Sequence, residues 1–281
     1  MRFTPAQCNL CQSPDVEVKY QITTCEIRAC RSCGLVYTAY PEELSPADLY
    51  TAAYFQGGMP DGYADYQGSE RVLRAEFRRV IHTLRQYAGS RRHLLEIGAA
   101  YGFLLDEARP YFEAWGIEIS PVAADMARQR GHTIVSDPVS PAVFHQHPAP
   151  ECVVMLDTIE HLPDPAAVLA DLHAGMAPGG LLYITTGDMG SILARVMGRH
   201  WRLMTPPQHL YFFSRKTLIR LLTQTGFTVF RADRPWKIIP IGLAFYQVLA
   251  RAGIPWPRIT RLQAGIPVNL FDTLRIIAQK S

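Results

Sequence analysis

"HLLEIGAAYGFLLDEA", residues 93–108, carries an apolar strand-like run into Glu96, then Gly98 and Gly102, and starts a helical apolar pattern at once. Glycines at a strand-to-helix corner let a ligand come close to the backbone. Outward from this corner, strand-like and helix-like segments alternate. The strands read as "HLLEIG", "AWGIEIS", "HTIVS", "ECVVMLD", "GLLYITTG", "FTVFRA" and "TLRIIAQK", with helices near 102–113, 121–130, 164–176 and 214–225. Such alternation predicts an α/β, doubly wound, Rossmann-like sheet with helices on both faces. Ligands of these sheets lie beyond the carboxyl ends of the strands. Three of those ends carry acids here: Glu96, Glu118 and Asp157.

The spacing at the corner is E-x-G-x-x-x-G, not the G-x-G-x-x-G of a nicotinamide site. A pyrophosphate needs free backbone N–H groups and no carboxylate beside them. An acid just before the turn favours a cationic ligand instead. Glu118, 20 residues after Gly98, is placed to accept hydrogen bonds from both hydroxyls of a ribose. An adenosine with a cationic, zwitterionic tail satisfies both acids, and S-adenosylmethionine is such a molecule.

With these residues in place the chain resembles the class I SAM-dependent methyltransferases, over about residues 90–235 plus a last strand near 272–280. "LLEIGAAYG" is similar to the first motif of the family and Glu118 to its ribose-binding acid. "LDTIEHLPDP" and "PPQHLYFFSRKTLIRLLTQTGF" look like segments of its small-molecule branch, as does a four-cysteine ribbon in front. The resemblance implies a seven-stranded sheet with the last strand antiparallel. It also implies Gly98 and Gly102 under the methionine part, with small Ala99 and Ala100 beside it and Glu96 near the amino group. Ile119 is expected against adenine and Asp137 toward its amino group, with Asp157 the third strand-end acid of the cofactor site. The segment before the first strand is expected to fold as a lid, which brings Tyr54 toward the cofactor.

Methyl transfer from a sulfonium requires an aligned nucleophile and removal of its proton. His161 in "DTIEHLPDP" and His209 in "PPQHLYFF" are the candidate catalytic residues, because imidazole titrates near neutral pH. Asp157-Thr158-Ile159-Glu160 stands where amide and base N-methyltransferases carry N/D-P-P-Y/F. That argues against DNA adenine or glutamine amide acceptors and leaves hydroxyl, carbon-acid and some amine nucleophiles open. The expected acceptor is a small molecule, a hydroxyl first and a carbon acid next, such as a natural product, sugar or glycan intermediate. Trp201 and Arg202, in an insertion after the fifth sheet strand, are candidate lining residues for it.

The chain has 281 residues, 48% of them hydrophobic, and a formal net charge of +3. Nothing in that balance demands a nucleic acid or an anionic membrane as partner. Four of the six cysteines form C-x2-C pairs separated by 18 residues: Cys8, Cys11, Cys30 and Cys33. The spacing predicts a four-thiolate zinc site, structural because four protein ligands leave no open position. Cys152 reads as core. The expected organisation is a zinc ribbon over 1–38, a Tyr-rich linker or lid with a helix over 39–90, and the SAM-binding domain over 91–281. Acceptor-binding insertions are expected near 188–213 and 236–268. The helix over 70–88 presents an Arg-rich face, read as solvated. The run Ile238–Ala250 is too short to span a bilayer; as a cover helix it packs inward, as an interfacial one it suits a lipid- or carrier-linked acceptor. No secretory signal is visible, so a cytoplasmic location is expected. Two rivals stand beside this reading. An RNA methyltransferase would grip RNA with the ribbon, yet residues 1–38 hold only Arg2, Lys19, Arg28 and Arg31 against Asp15, Glu17 and Glu26. A non-catalytic SAM-binding partner subunit would use the ribbon as a protein interface.

Overall fold

The structure is a computed structural model that describes residues 3–44, 65–240 and 265–281. The chain divides into two compact units. One gathers residues 1–49, 139–235 and 270–281, the other residues 50–138 and 236–269.

Short, apolar, β-branched runs bounded by turn residues make the strands of the main sheet. These are β5 (His93–Ile97), β6 (Glu113–Ile117), β7 (Thr133–Val135), β8 (Cys152–Leu156), β9 (Leu181–Gly187), β11 (Phe227–Asp233) and β14 (Thr273–Lys280). Their order is β11-β14-β9-β8-β5-β6-β7. The pairs β5–β6, β6–β7 and β8–β9 are parallel, while β14 runs antiparallel to both β9 and β11. This is the seven-stranded arrangement expected from the resemblance. Cys152 is fully buried in β8.

In the second unit, α1 (Glu70–Ala88) precedes β5, α2 (Phe103–Ala108) follows it, and α3 (Pro121–Gln129) follows β6. Helix α1 buries Val72, Val80, Ile81 and Leu84 at helical spacing, as an amphipathic stripe should. Its Arg-rich face is only partly solvated. Arg74 bridges Glu70, Asp106 and Glu107 at 2.7–3.1 Å, because the first turns of α2 present two acids to it. Ser69 does not cap α1 with its side chain; its hydroxyl donates to the Asp65 carbonyl at 2.7 Å. A two-stranded sheet of β12 (Lys237–Pro240) and β13 (Gly265–Val268) completes this unit.

In the first unit, α4 (Pro141–Phe144) precedes β8, α5 (Pro165–Gly175) precedes β9, α6 (Ile192–Met197) follows β9, and α7 (Arg215–Gln224) precedes β11. Asp164 caps α5 and Ser214 with Thr217 forms a capping box on α7, satisfying end groups that each helix leaves open. The N-terminal ribbon is β1 (Phe3–Thr4), β2 (Val16–Ile22), β3 (Cys25–Cys30) and β4 (Val36–Pro41), in the order β1-β4-β3-β2, with β10 (Tyr211–Phe212) paired to β4. Its apolar cluster joins Ile27, Ala29 and Val36 to Ala194, Trp201, Met204 and Phe212. Forty residues cannot close a core alone, and the ribbon completes its core with the segment after β9. Tyr50, Tyr54, Tyr63 and most of the 238–250 run lie outside the described residues. Among the described residues no helix is long and apolar enough to cross a membrane.

Candidate functional site

The corner in the second unit forms between β5 and α2. Gly98 has φ +79°, Ala100 φ +45° and Gly102 φ +78°. The amides of Gly98 and Ala99 both donate to the Ile117 carbonyl, at 2.9 and 3.1 Å. Ala100 occupies a left-handed conformation that an L side chain resists. Its N–H donates to Glu118 Oε2 at 2.7 Å, and the Ser120 N–H donates to Oε1 at 2.8 Å. Thus the expected ribose acid also pins the corner from β6, and Ser120 enters α3 without a side-chain cap.

Glu96 and Glu118 are 4% and 6% exposed. Burial, with the neighbouring Glu118 charge added, pushes the Glu96 carboxyl well above its ordinary value. Burial also raises Glu118, against the backbone N–H bonds from Ser120, Ala100 and Ile119 that lower it. Among the described residues, Glu96 Oε2 has no hydrogen-bond partner. A buried carboxylate oxygen left in that state costs free energy unless a ligand satisfies it.

Gly98 is exposed at the mouth of the turn, Ala99 is buried, and Ile119 is 47% exposed. Asp137 is exposed beyond β7. Gly102 has a reason of its own. A Cβ there would lie 2.6 Å from His132 Cδ2 and 3.2 Å from Ala127 Cβ, so the residue is glycine for packing and for its positive φ. Gly102→Ala should destabilise the fold by about 1–3 kcal/mol, read by chemical denaturation; a variant as stable as the parent would dismiss that packing requirement. Tyr66, not singled out among the tyrosines, stacks on Phe103 at 5.4 Å and meets Tyr101 edge-on at 5.1 Å. Behind the corner, His132 Nε2 lies 2.9 Å from Asp106, which also pairs with Arg130 and Arg74. These partners hold the Asp106 carboxyl below its usual value against burial, which acts the other way.

In the first unit, Asp157 follows β8 with φ +50°. Its N–H donates to the Thr185 carbonyl at 2.9 Å and its carboxylate accepts from Thr185 Oγ1 at 3.0 Å, which fixes the acid at the strand end. A 3-10 turn, Ile159–His161, follows. The structure brings the two candidate histidines together: the His161 and His209 rings stand edge to face with centroids 4.6 Å apart. His161 Nδ1–H donates to the Gln208 carbonyl at 2.8 Å and His209 Nδ1–H to the Leu203 carbonyl at 2.8 Å. That assignment leaves both Nε2 atoms as acceptors in the neutral rings. Burial lowers both pKa values, and the second ring lowers His209 further, to about 3. The Glu160 carboxylate joins them, with the three ligand atoms within 4.8 Å of one another. A carboxylate and two imidazoles are also a donor set for a divalent cation.

Trp201 and Arg202, the candidate lining residues, both turn to one carboxylate. Trp201 is 2% exposed, and its Nε1–H and the Arg202 guanidinium all bond the Asp272 carboxylate at 2.9–3.0 Å. They anchor the segment after β9 to the residue that opens β14. Asp188 at the end of β9 does the same for Arg234, at 2.6 Å. In the ribbon, the four thiols of Cys8, Cys11, Cys30 and Cys33 lie within 4.8 Å of one another. Cys8–Cys33 and Cys11–Cys30 are each 3.5 Å apart, and the cysteines are free.

The chain matches the family model described as "Methyltransferase domain" over residues 69–232. It is 27% identical over 164 residues to the ubiquinone biosynthesis O-methyltransferase of Methylococcus capsulatus, a match covering 55% of this chain and 67% of that one. Among solved structures it is similar to a SAM-dependent methyltransferase from Archaeoglobus fulgidus, with TM-score 0.50, 18% identity, and coverage of 73% of this chain and 94% of the other. It is also similar to the magnesium protoporphyrin IX methyltransferase of Synechocystis PCC 6803 with bound SAM, with TM-score 0.50, 12% identity, and coverage of 86% and 100%. At these identities the structural likenesses establish the fold.

Proposed function

The chain belongs to the methyltransferase domain family and is a class I SAM-dependent methyltransferase, and from that premise we propose that it methylates an acidic hydroxyl of a small-molecule acceptor, with a carbon acid as the next acceptor class. The observation that carries the donor half is Glu96. Its buried oxygen lacks a partner among the described residues, and the amino group of a methionine tail supplies a cation of the right kind. Glu118 takes the ribose hydroxyls, Gly98, Ala99 and Ala100 give the tail its bed, and Ile119 supplies an exposed apolar surface for adenine. Asp137 and Asp157 are the remaining acids of this proposal; Tyr54 belongs to it from outside the described residues. When bound, SAM supplies an electrophilic methyl on a positively charged sulfur.

The acceptor half rests on His161 and His209, neutral rings whose Nδ1 atoms are held by backbone carbonyls. Such a pair orients a hydroxyl and takes its proton at Nε2. Burial lowers the His209 pKa to about 3, which leaves a neutral, weakly basic ring that suits an acidic, phenol-like group of pKa about 10. An alkyl alcohol near the pKa of water, about 16, lies still further away. Proton transfer of this kind therefore favours a phenolic or enolic hydroxyl over a sugar hydroxyl. The O-methyltransferase named among the relatives supports the same atom type. The ribbon over 1–38, the linker over 39–90 and the catalytic region over 91–281 remain the organisation we favour. The thiol cluster suits structural zinc: Zn–S bonds of about 2.3 Å in a tetrahedron place sulfurs about 3.8 Å apart.

Incubation with methyl-labelled SAM and separate panels of phenols, enols, sugars and transfer RNA tests the acceptor. Label in the phenol or enol panel is expected. Label confined to RNA, or SAM binding without transfer to any panel, would favour one of the two rivals. Proton linkage tests Glu96. Burial raises the Glu96 pKa in the free protein and a bound cation lowers it, so SAM affinity should rise with pH as that carboxyl ionises. Glu96→Gln should flatten that dependence and weaken binding by about 10- to 100-fold, the value of one charge-assisted hydrogen bond. A raised pKa contributes stability below the ordinary carboxylate range and loses it as pH rises through the folded value, so the Gln variant should be the more stable protein at high pH. An unchanged pH dependence of calorimetric binding in Glu96→Gln would remove the amino-group assignment.

A further inference from the structure

Both cysteine knuckles end on a histidine loop. The first knuckle, Cys8-Asn9-Leu10-Cys11, sends the Asn9 side-chain amide to the Tyr211 hydroxyl, and that hydroxyl donates to the Pro163 carbonyl at 2.9 Å. Pro163 is two residues beyond His161. The second knuckle closes on itself through Gly34 N–H to the Cys30 carbonyl, 2.8 Å, and Cys30 N–H to the Leu35 carbonyl, 2.9 Å, and then runs straight into β4. From β4, Thr38 Oγ1 donates to the His209 carbonyl at 2.6 Å and Thr38 N–H to the Leu210 carbonyl at 2.8 Å. Leu210 N–H in turn donates to the Glu160 carbonyl at 2.8 Å, which ties the two loops to each other. Pairing of Tyr211 with Tyr37 and of Phe212 with Val36 continues the same ladder.

We propose that the ribbon is the positioning device of the histidine pair, with Asn9 and Tyr211 setting the His161 loop, Thr38 setting the His209 loop, and the thiol cluster fixing the two knuckles against each other. The proposal rests on the acceptor-side reading of His161 and His209. A ribbon that only stabilised the fold would need its apolar cluster and its metal, and nothing more. Thr38 is 1% exposed and its hydroxyl is spent on the backbone of a histidine. Tyr211, 3% exposed, carries a hydroxyl whose acceptor lies in the other histidine loop. Metal binding then acts on the acceptor site through geometry, as outer partners act on metal ligands elsewhere, with the direction of influence reversed.

The positioning is read without an acceptor. Nitrogen-resolved NMR of the imidazoles, assigned with His161→Gln and His209→Gln, reads the Nδ1–H tautomer and order of each ring in the zinc-loaded protein. In Thr38→Val the protected Nδ1–H signal of His209 should be lost or strongly shifted, and Thr38→Ser should restore it. Asn9→Ala should do the same to His161. Calorimetric SAM affinity should stay at the parent value in all three, because the donor corner contains none of these residues. Removal of zinc by a chelator should move both ring signals together. Ring signals that stay put in Thr38→Val and Asn9→Ala would overturn the proposal whatever chelation does, including unfolding. Loss of SAM binding along with the ring signals would show general unfolding and overturn it too. Ring signals that respond as expected, in a protein whose His161→Gln and His209→Gln forms still transfer methyl groups at the parent rate, would keep the positioning and discard the acceptor-side role.

Discussion

Glu118→Ala should abolish measurable SAM binding. Two roles converge on this carboxylate. Its oxygens hold the N–H groups of Ala100 and Ser120 at 2.7 and 2.8 Å, and it is the proposed acceptor for the ribose hydroxyls. Ala100, in a left-handed backbone conformation at φ +45°, keeps that geometry only while something compensates it. Removing the carboxylate frees the turn and deletes the ribose contacts in one step. Hydrogen bonds to a charged group contribute about 1.5–3 kcal/mol each. Two of them lost from the bound state correspond to roughly 10²- to 10⁴-fold in Kd. Titration calorimetry on folded variant protein reads this directly. Asp125→Ala is the matched control, an exposed acid on α3 that pairs with Arg128 at 3.0 Å, and should bind as the parent does. A Glu118→Ala protein that binds within about threefold of the parent, under 1 kcal/mol, would mean that the nucleoside lies elsewhere.

The same pair of residues explains which features were open to a sequence reading. Glu96 and Glu118 announce themselves because each stands near the end of an apolar strand pattern, where an acid breaks the run. The seven strands were legible for the same reason, since period-two and fully apolar runs are local properties. The four thiols were legible by spacing alone. What stayed hidden depends on partners far along the chain. Trp201 and Arg202 look like pocket residues until Asp272, 70 or more positions away, closes on both. That Gly102 is also required by the packing of His132 against it is not legible in its own stretch of sequence. Arg74 looks solvated until the acids of α2 arrive beside it. The meeting of His161 with His209, and of both with the ribbon, is likewise a matter of tertiary pairing. "EHLPDP" and "PPQHLYFF" each hold one half of it, and nothing local joins them.

That meeting yields the second large effect. Replacing both rings, His161→Gln with His209→Gln, should lower kcat by roughly 10²- to 10⁴-fold, the usual worth of a positioned proton acceptor, while SAM affinity holds. The pH behaviour separates this role from packing. The rings stand edge to face with centroids 4.6 Å apart, and burial with the neighbouring ring lowers His209 to about 3, so His209 is the later of the two to take a proton. In the proposed role the neutral rings are the active form. Activity should therefore show no acid limb near 6.5, and should fall only as pH drops well below the ordinary imidazole value. Stability follows the opposite accounting of the same protons. A depressed histidine contributes stability above its unfolded value near 6.5 and loses it as pH falls toward the folded value. The double Gln variant removes that liability, so it should resist acid unfolding better than the parent between about pH 6 and 3, in the window set by those two values. Slower chemistry with greater acid stability is an outcome that a bracing role does not produce, because loss of a brace lowers both. If instead the parent binds added Mn²⁺ and needs it for turnover, Glu160, His161 and His209 would hold the ion, and the ion would supply the charge that acidifies the acceptor hydroxyl. The proton then leaves to solvent and not to an imidazole.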